Sequence, residues 1–198
     1  MPANPLITCP SDCAVVNLPV VSFADCAPKI LSSEFQRLYV GRPDAVAFSD
    51  VQSAVAWNDR ISSTATPPSG STVVAKDLLR PLVVIGDMPA PTPTTRQISG
   101  GRTVTTQNQY VLNFEVDDVS DSNYAFFQAV QCGKGAYPVK VWPVTKSLKV
   151  LGGNAGISGK MAVSHIFDRG DDGIIRVVGT VTFNQDIAPN MDAWPLSL

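Results

Sequence analysis

The sequence predicts a mainly β chain with one or two helices, folded as a β-sandwich or small barrel and preceded by an extended N-terminal arm. Three observations lead there. The segment QYVLNFEV (109–116) alternates apolar and polar residues at period two, the signature of a half-buried strand. Beyond residue 136 the runs YPVKVWPVT, SLKVLGG, SGKMAVSHIF and GIIRVVGTVTFN follow one another as strands, separated by glycine-rich or Asp/Gly-rich turns. Only two stretches carry helical spacing, which leaves helices to cover a sheet and not to build the fold.

Residues 1–33 hold Pro2, Pro5, Pro10, Pro19 and Pro28, a spacing that forbids a long helix. The same stretch is apolar, with Leu6, Ile7, Val15, Val16, Val20 and Phe23, and so is unlike a polar disordered tail. An apolar extended arm needs a surface to lie on, either its own domain or a neighbouring copy. The single β-rich domain is expected to span 34–198. Glu34 to Val40 reads as its first strand. Ser49 or Asp50 is expected to cap a short helix, DVQSAVAWNDRI, with Val51, Val55 and Trp57 inward. Residues 62–72 read as a loop. LLRPLVVIG is strand-like, and Pro81 places it at an edge or a strand start. Residues 87–95, DMPAPTPTT, read as a proline-rich connector. In QYVLNFEV, Tyr110, Leu112, Phe114 and Val116 share the inward face. Ser120 or Asp121 then opens a helix through NYAFFQAV, with Gly133 as its stop. The tail IAPNMDAWPLSL is apolar enough to dock on something.

Composition bounds function. The chain has 198 residues, 44% hydrophobic and 16% charged, with net charge −2. An average soluble domain is about 25% charged, so surface hidden in an oligomer would account for the deficit. The charges are dispersed, which argues against a dedicated nucleic-acid binder. No apolar run reaches the roughly 20 residues that cross a bilayer, so no membrane partner is expected. The N-terminus lacks a positive region followed by an apolar run, so synthesis in the cytoplasm of the producing cell is expected.

Catalytic signals are missing. No nucleophile elbow, zinc-protease helix or phosphate-binding loop is present. His165 is the single histidine, and its neighbour Ser164 points to the opposite face of a strand. No catalytic residue and no cofactor are assigned. Cys9, Cys13, Cys26 and Cys132 are weak metal candidates, because structural zinc sites usually join two close pairs; disulfides and buried thiols are the other readings. Asp168, Asp171 and Asp172 crowd the turn DRGDDG, where tight-turn chemistry explains them as well as a cation does. Arg169-Gly170-Asp171 also spells an adhesion tripeptide, a match that arises readily by chance. Asp117 and Asp118 suit the positive end of the following helix.

The succession TVTTQNQYVLNFEVDDVSDSNYAFFQAVQCGKGAYPVKVWPVTKSLKVLGGNAGISGKMAVSHIF, then a hairpin and GIIRVVGTVTFN, resembles structural proteins of tailed bacteriophages, most of all the tail tube. The likeness covers about residues 95–185 and is a pattern of elements, not a signature motif. It implies a barrel or sandwich of the tail-tube type that forms rings, often hexameric, stacked around a lumen. Strands of neighbouring subunits would complete a continuous inner sheet. Partners would be copies of the chain, other virion proteins, and genomic DNA passing without sequence-specific binding; the location would be the virion. The Cys- and Pro-rich first third departs from a compact tube subunit and keeps a head–tail connector, tail-terminator or capsid auxiliary role open. From another class, a carbohydrate- or cell-surface-binding module would need an exposed platform at Trp142 and Trp194, and a hydrolase would depend on His165. The assembly surface expected here comprises Leu6, Ile7, Val15, Val16, Val20, Phe23, Arg169, Asp171, Asp172 and Trp194.

Overall fold

Strand closure, not sheet stacking, defines the fold. The computed structural model describes residues 31–167 and 174–198. Strands β1 (Phe35–Gly41), β2 (Arg80–Asp87), β4 (Thr103–Val116), β5 (Tyr137–Thr145), β7 (Ile157–Phe167) and β8 (Ile175–Gln185) run in the order β1-β2-β4-β8-β7-β5. Antiparallel pairing of β5 back to β1 shuts them into a six-stranded barrel. Strand β3 (Thr92–Gln97) extends β4, while β6 (Lys149–Leu151) and β9 (Met191–Ala193) add on to β5 in turn. The described residues also form helices α1 (Ala54–Arg60) and α2 (Asp121–Gln131) and a short 3-10 turn at Ala75–Asp77.

The predicted inward face of QYVLNFEV is the observed one: Tyr110, Leu112, Phe114 and Val116 are buried, and their neighbours in sequence are not. A barrel of this size has room only for side chains. Tyr110 stacks on Phe183, its cross-strand partner, with ring centroids 5.2 Å apart. Phe114 lies opposite Gly179, and a Cβ at that glycine would overlap the Phe114 ring. The glycine therefore makes the space that the aromatic fills. Phe127 and Val130 of α2 join the same core. The helix links the end of β4 to the start of β5 and stops at Cys132, with the Gly133 N–H returning to the Val130 carbonyl at 3.0 Å.

A second core lies on the outer face of β1 and β5. Tyr39, Trp142 and Val144 point outward from the barrel and are covered by Phe48, Val51, Trp57, Leu79, Val150 and Trp194. Burial on both faces explains why YPVKVWPVT reads as a nearly continuous apolar run and not as an alternation. Asn154 pins the covering loop, accepting the Val51 N–H at 2.8 Å on its side chain and the Phe48 N–H at 2.8 Å on its carbonyl. Trp142 donates its ring N–H to the Gly153 carbonyl at 3.0 Å, and Gly156, at φ +73°, passes so close to that indole that a Cβ would sit 2.5 Å from it.

Several expectations are corrected. Helix α1 is capped by Ser53, not by Ser49 or Asp50; Asp50 instead turns the chain by accepting the Gln52 N–H at 2.8 Å. Val55 faces solvent at 70% exposure, so the helix buries Trp57 but not Val55. The connector predicted at 87–95 ends in strand β3, which starts at Thr92. Closure of β1 on β5 within one chain also means that the barrel sheet is complete without strands from a neighbour.

Candidate functional site

Among the described residues, the part of the sheet that leaves the barrel is the ribbon formed by β3 and the first half of β4. Thr92 pairs with Gln109 and Gln97 with Thr103, so the two strands run as a hairpin beyond the barrel. Every residue of β3, and every residue of β4 from Thr103 to Gln107, is exposed. Gly100 and Gly101, at φ +84° and +71°, make the turn, and the Ile98 N–H closes it on the Arg102 carbonyl at 2.9 Å. Pro93 is tolerated because β3 pairs on one side only, so its missing N–H interrupts no ladder.

The ribbon has two unlike faces. Arg96 lies opposite Val104, and Ile98 opposite Arg102. Cross-strand partners and residues two apart share a face. One face therefore carries Arg96, Ile98, Arg102 and Val104, and the other Thr95, Gln97, Thr103 and Thr105. From Met88 to Tyr110 the chain has two arginines and no acidic residue.

On the outer wall of the barrel lies a groove of about 650 Å³ where β2, β4, β8 and β7 run side by side. Its floor is made by Gly86, Asn113, Ala162 and Val178, and Ile85 stands beside it at 61% exposure. Glu34 and Asp87 line it and are exposed. The Asn113 side-chain amide donates to Asp87 at 3.0 Å, and Glu115 is already paired with Arg176 at 2.8 Å. Two carboxylates, Glu34 and Asp87, thus face the groove without an ion pair among the described residues.

The other predicted residues are placed as follows. Trp194 is not a surface contact: it is 6% exposed, stacked on Tyr39 at 5.0 Å and set edge-on to Trp57 at 4.6 Å. Trp142 is fully buried, so neither tryptophan offers a platform to a carbohydrate. Leu6, Ile7, Val15, Val16, Val20, Phe23, Arg169, Asp171 and Asp172 lie outside the described residues, as do Cys9, Cys13, Cys26 and Asp168. Cys132 is an exposed thiol at the end of α2, and among the described residues no cluster of three or more His, Cys, Asp or Glu could hold a metal ion. His165 Nδ1 is 3.0 Å from the Gln131 amide nitrogen, and its ring packs against Tyr124 at 4.4 Å. Ser164 faces the opposite side and lines the groove, so the two do not meet. Among the described residues no helix is long and apolar enough to cross a membrane.

Sequence reasoning missed both the ribbon and the groove. The threonine-rich alternation TVTTQ was the one signal for the ribbon. The groove is assembled from segments near 34, 86, 113, 163 and 179, and no window of sequence contains it. No family model, no curated protein and no solved structure matches this chain.

Proposed function

We propose that the chain is a virion structural protein of a tailed bacteriophage, whose copies assemble as rings stacked into a tail tube that conducts DNA. The observation that carries this reading is the β3–β4 ribbon. A free two-stranded hairpin is at best marginally stable in water, and its open edges present N–H and C=O groups to any other strand. Such a ribbon belongs to a chain that meets a partner. The order of a long strand, a helix, an aromatic strand, a glycine-rich turn and a final long hairpin supports the tail-tube assignment among assembling proteins. A low share of charged residues, 16%, fits a subunit that hides much of its surface in a particle. No cofactor is required.

Negative-stain microscopy of the purified full chain tests the proposal. Rings or stacked tubes at high protein concentration are the expected result. Uniform monomers under those conditions refute it.

A further inference from the structure

The geometry points to a specific docking between copies: the Arg96–Arg102 face of one ribbon seats in the Glu34–Asp87 groove on the barrel wall of the next. This inference rests on the self-assembly reading above and names the two surfaces that would meet.

Complementarity is the first argument. The ribbon face offers two guanidinium groups and two exposed apolar side chains, Ile98 and Val104. The groove offers two exposed carboxylates, with the apolar Ile85, Ala162 and Val178 between and beside them. Arginine forks match carboxylates bidentately, which fixes orientation as well as adding attraction. Both apolar partners lose water in the same contact.

Reach is the second argument, and it identifies the occupant as a second copy. Strand β4 runs without a break from Thr103 to Val116, carrying the ribbon at one end and the groove floor, Asn113, near the other. At about 3.3 Å per residue, Arg102 is held roughly 36 Å from Asn113 along the same strand. The ribbon cannot fold back on its own groove without breaking β4. It can only enter the groove of another molecule. Donor and acceptor surfaces differ, so the contact is either exchanged reciprocally between two copies or repeated head to tail, and the repeated form, which closes into a ring or continues as a filament, is the one that the proposed function requires.

Two charge-reversed full-length variants test this, Arg96→Glu/Arg102→Glu and Glu34→Lys/Asp87→Lys. All four side chains are exposed, and circular-dichroism melting checks that both variants fold. Sedimentation velocity at low salt then reads self-association. Each variant alone should associate at least about tenfold more weakly than wild type, because like charges meet at the contact. An equal mixture of the two should recover assembly, since each ribbon then finds a groove of opposite sign, and wild-type assembly should weaken as salt is raised. If wild type assembles and both variants assemble equally well, the docking is wrong while the self-assembly reading stands. If wild type stays monomeric at every concentration, both are overturned.

Discussion

Replacing Trp194 with alanine should unfold the protein more easily without acting on the proposed contact between copies. The indole lies between Tyr39 and Trp57 and is 6% exposed. A buried tryptophan covers about 150–250 Å², and at about 25 cal/mol per Å² its removal forfeits roughly 4–6 kcal/mol. Large-to-small core substitutions measure about 3–5 kcal/mol once the site relaxes. For a domain of this length, about 4 kcal/mol lowers Tm by roughly 8–16 °C. The phenylalanine variant sharpens the test. Trp194 Nε1 is buried with no hydrogen-bond partner among the described residues, so exchanging indole for phenyl breaks no bond. Trp194→Phe removes part of the buried indole and should cost about 1–2 kcal/mol, less than the alanine variant. Trp142→Phe should cost more, about 2–3 kcal/mol, because it also strands the Gly153 carbonyl that Trp142 now satisfies at 3.0 Å. Urea unfolding gives all three values, and sedimentation of the folded protein gives association. A Trp194→Ala chain with wild-type melting and weakened association would refute the placement.

Two more outcomes follow from the cores. Gly179→Ala should cost about 1–3 kcal/mol, since its new methyl overlaps the Phe114 ring, and pairing it with Phe114→Leu should recover part of the loss in a double-mutant cycle of urea midpoints. Burial pushes the Asp77 carboxyl up, but the Val46 N–H at 2.8 Å, Lys76 at 3.3 Å and the charge of Arg60 outweigh it and hold the group below the usual carboxylate range. Its contribution is therefore complete above the unfolded value, about pH 4, and is lost as pH falls through the lower folded value. Asp77→Asn should lower the urea midpoint at pH 7, and the gap to wild type should narrow by pH 3.

What the sequence discloses is what one local environment imposes. QYVLNFEV is legible because Tyr110, Leu112, Phe114 and Val116 meet one core while Asn113 and Glu115 meet solvent. Helix α2 is legible for the same reason, with Phe127 and Val130 inward. Legibility fails where two environments compete. Ser49 and Asp50 are good caps by type, yet Asp50 is spent on a turn and Ser53, accepting the Ala56 N–H, opens the helix. Trp194 is an anchor by type, and whether it anchors a neighbour or its own chain depends on Tyr39 and Trp57, far away in sequence. The run DMPAPTPTT carries turn chemistry, and only the pairing of Thr92–Gln97 with β4 makes half of it a strand.

Closure of the barrel within one chain removes the need for a partner along β1 and β5. An open sheet would need neighbouring copies along its whole edge, and the alternating strands alone suggest as much. Pairing of Tyr39 with Trp142 and of Val40 with Val141 removes that need, because β1 and β5 satisfy each other. The outer faces of the same strands are covered by Trp57 and Trp194. Among the described residues, the outer edge of β3 and the stretch of β4 before Asn108, where its pairing with β8 begins, lack a strand on one side. Those backbone groups lie on a ribbon with two arginines, no acidic residue and almost no core of its own. A barrel that closes within one chain and a ribbon with almost no core of its own are together what the proposed subunit needs if it is to fold first and assemble afterwards.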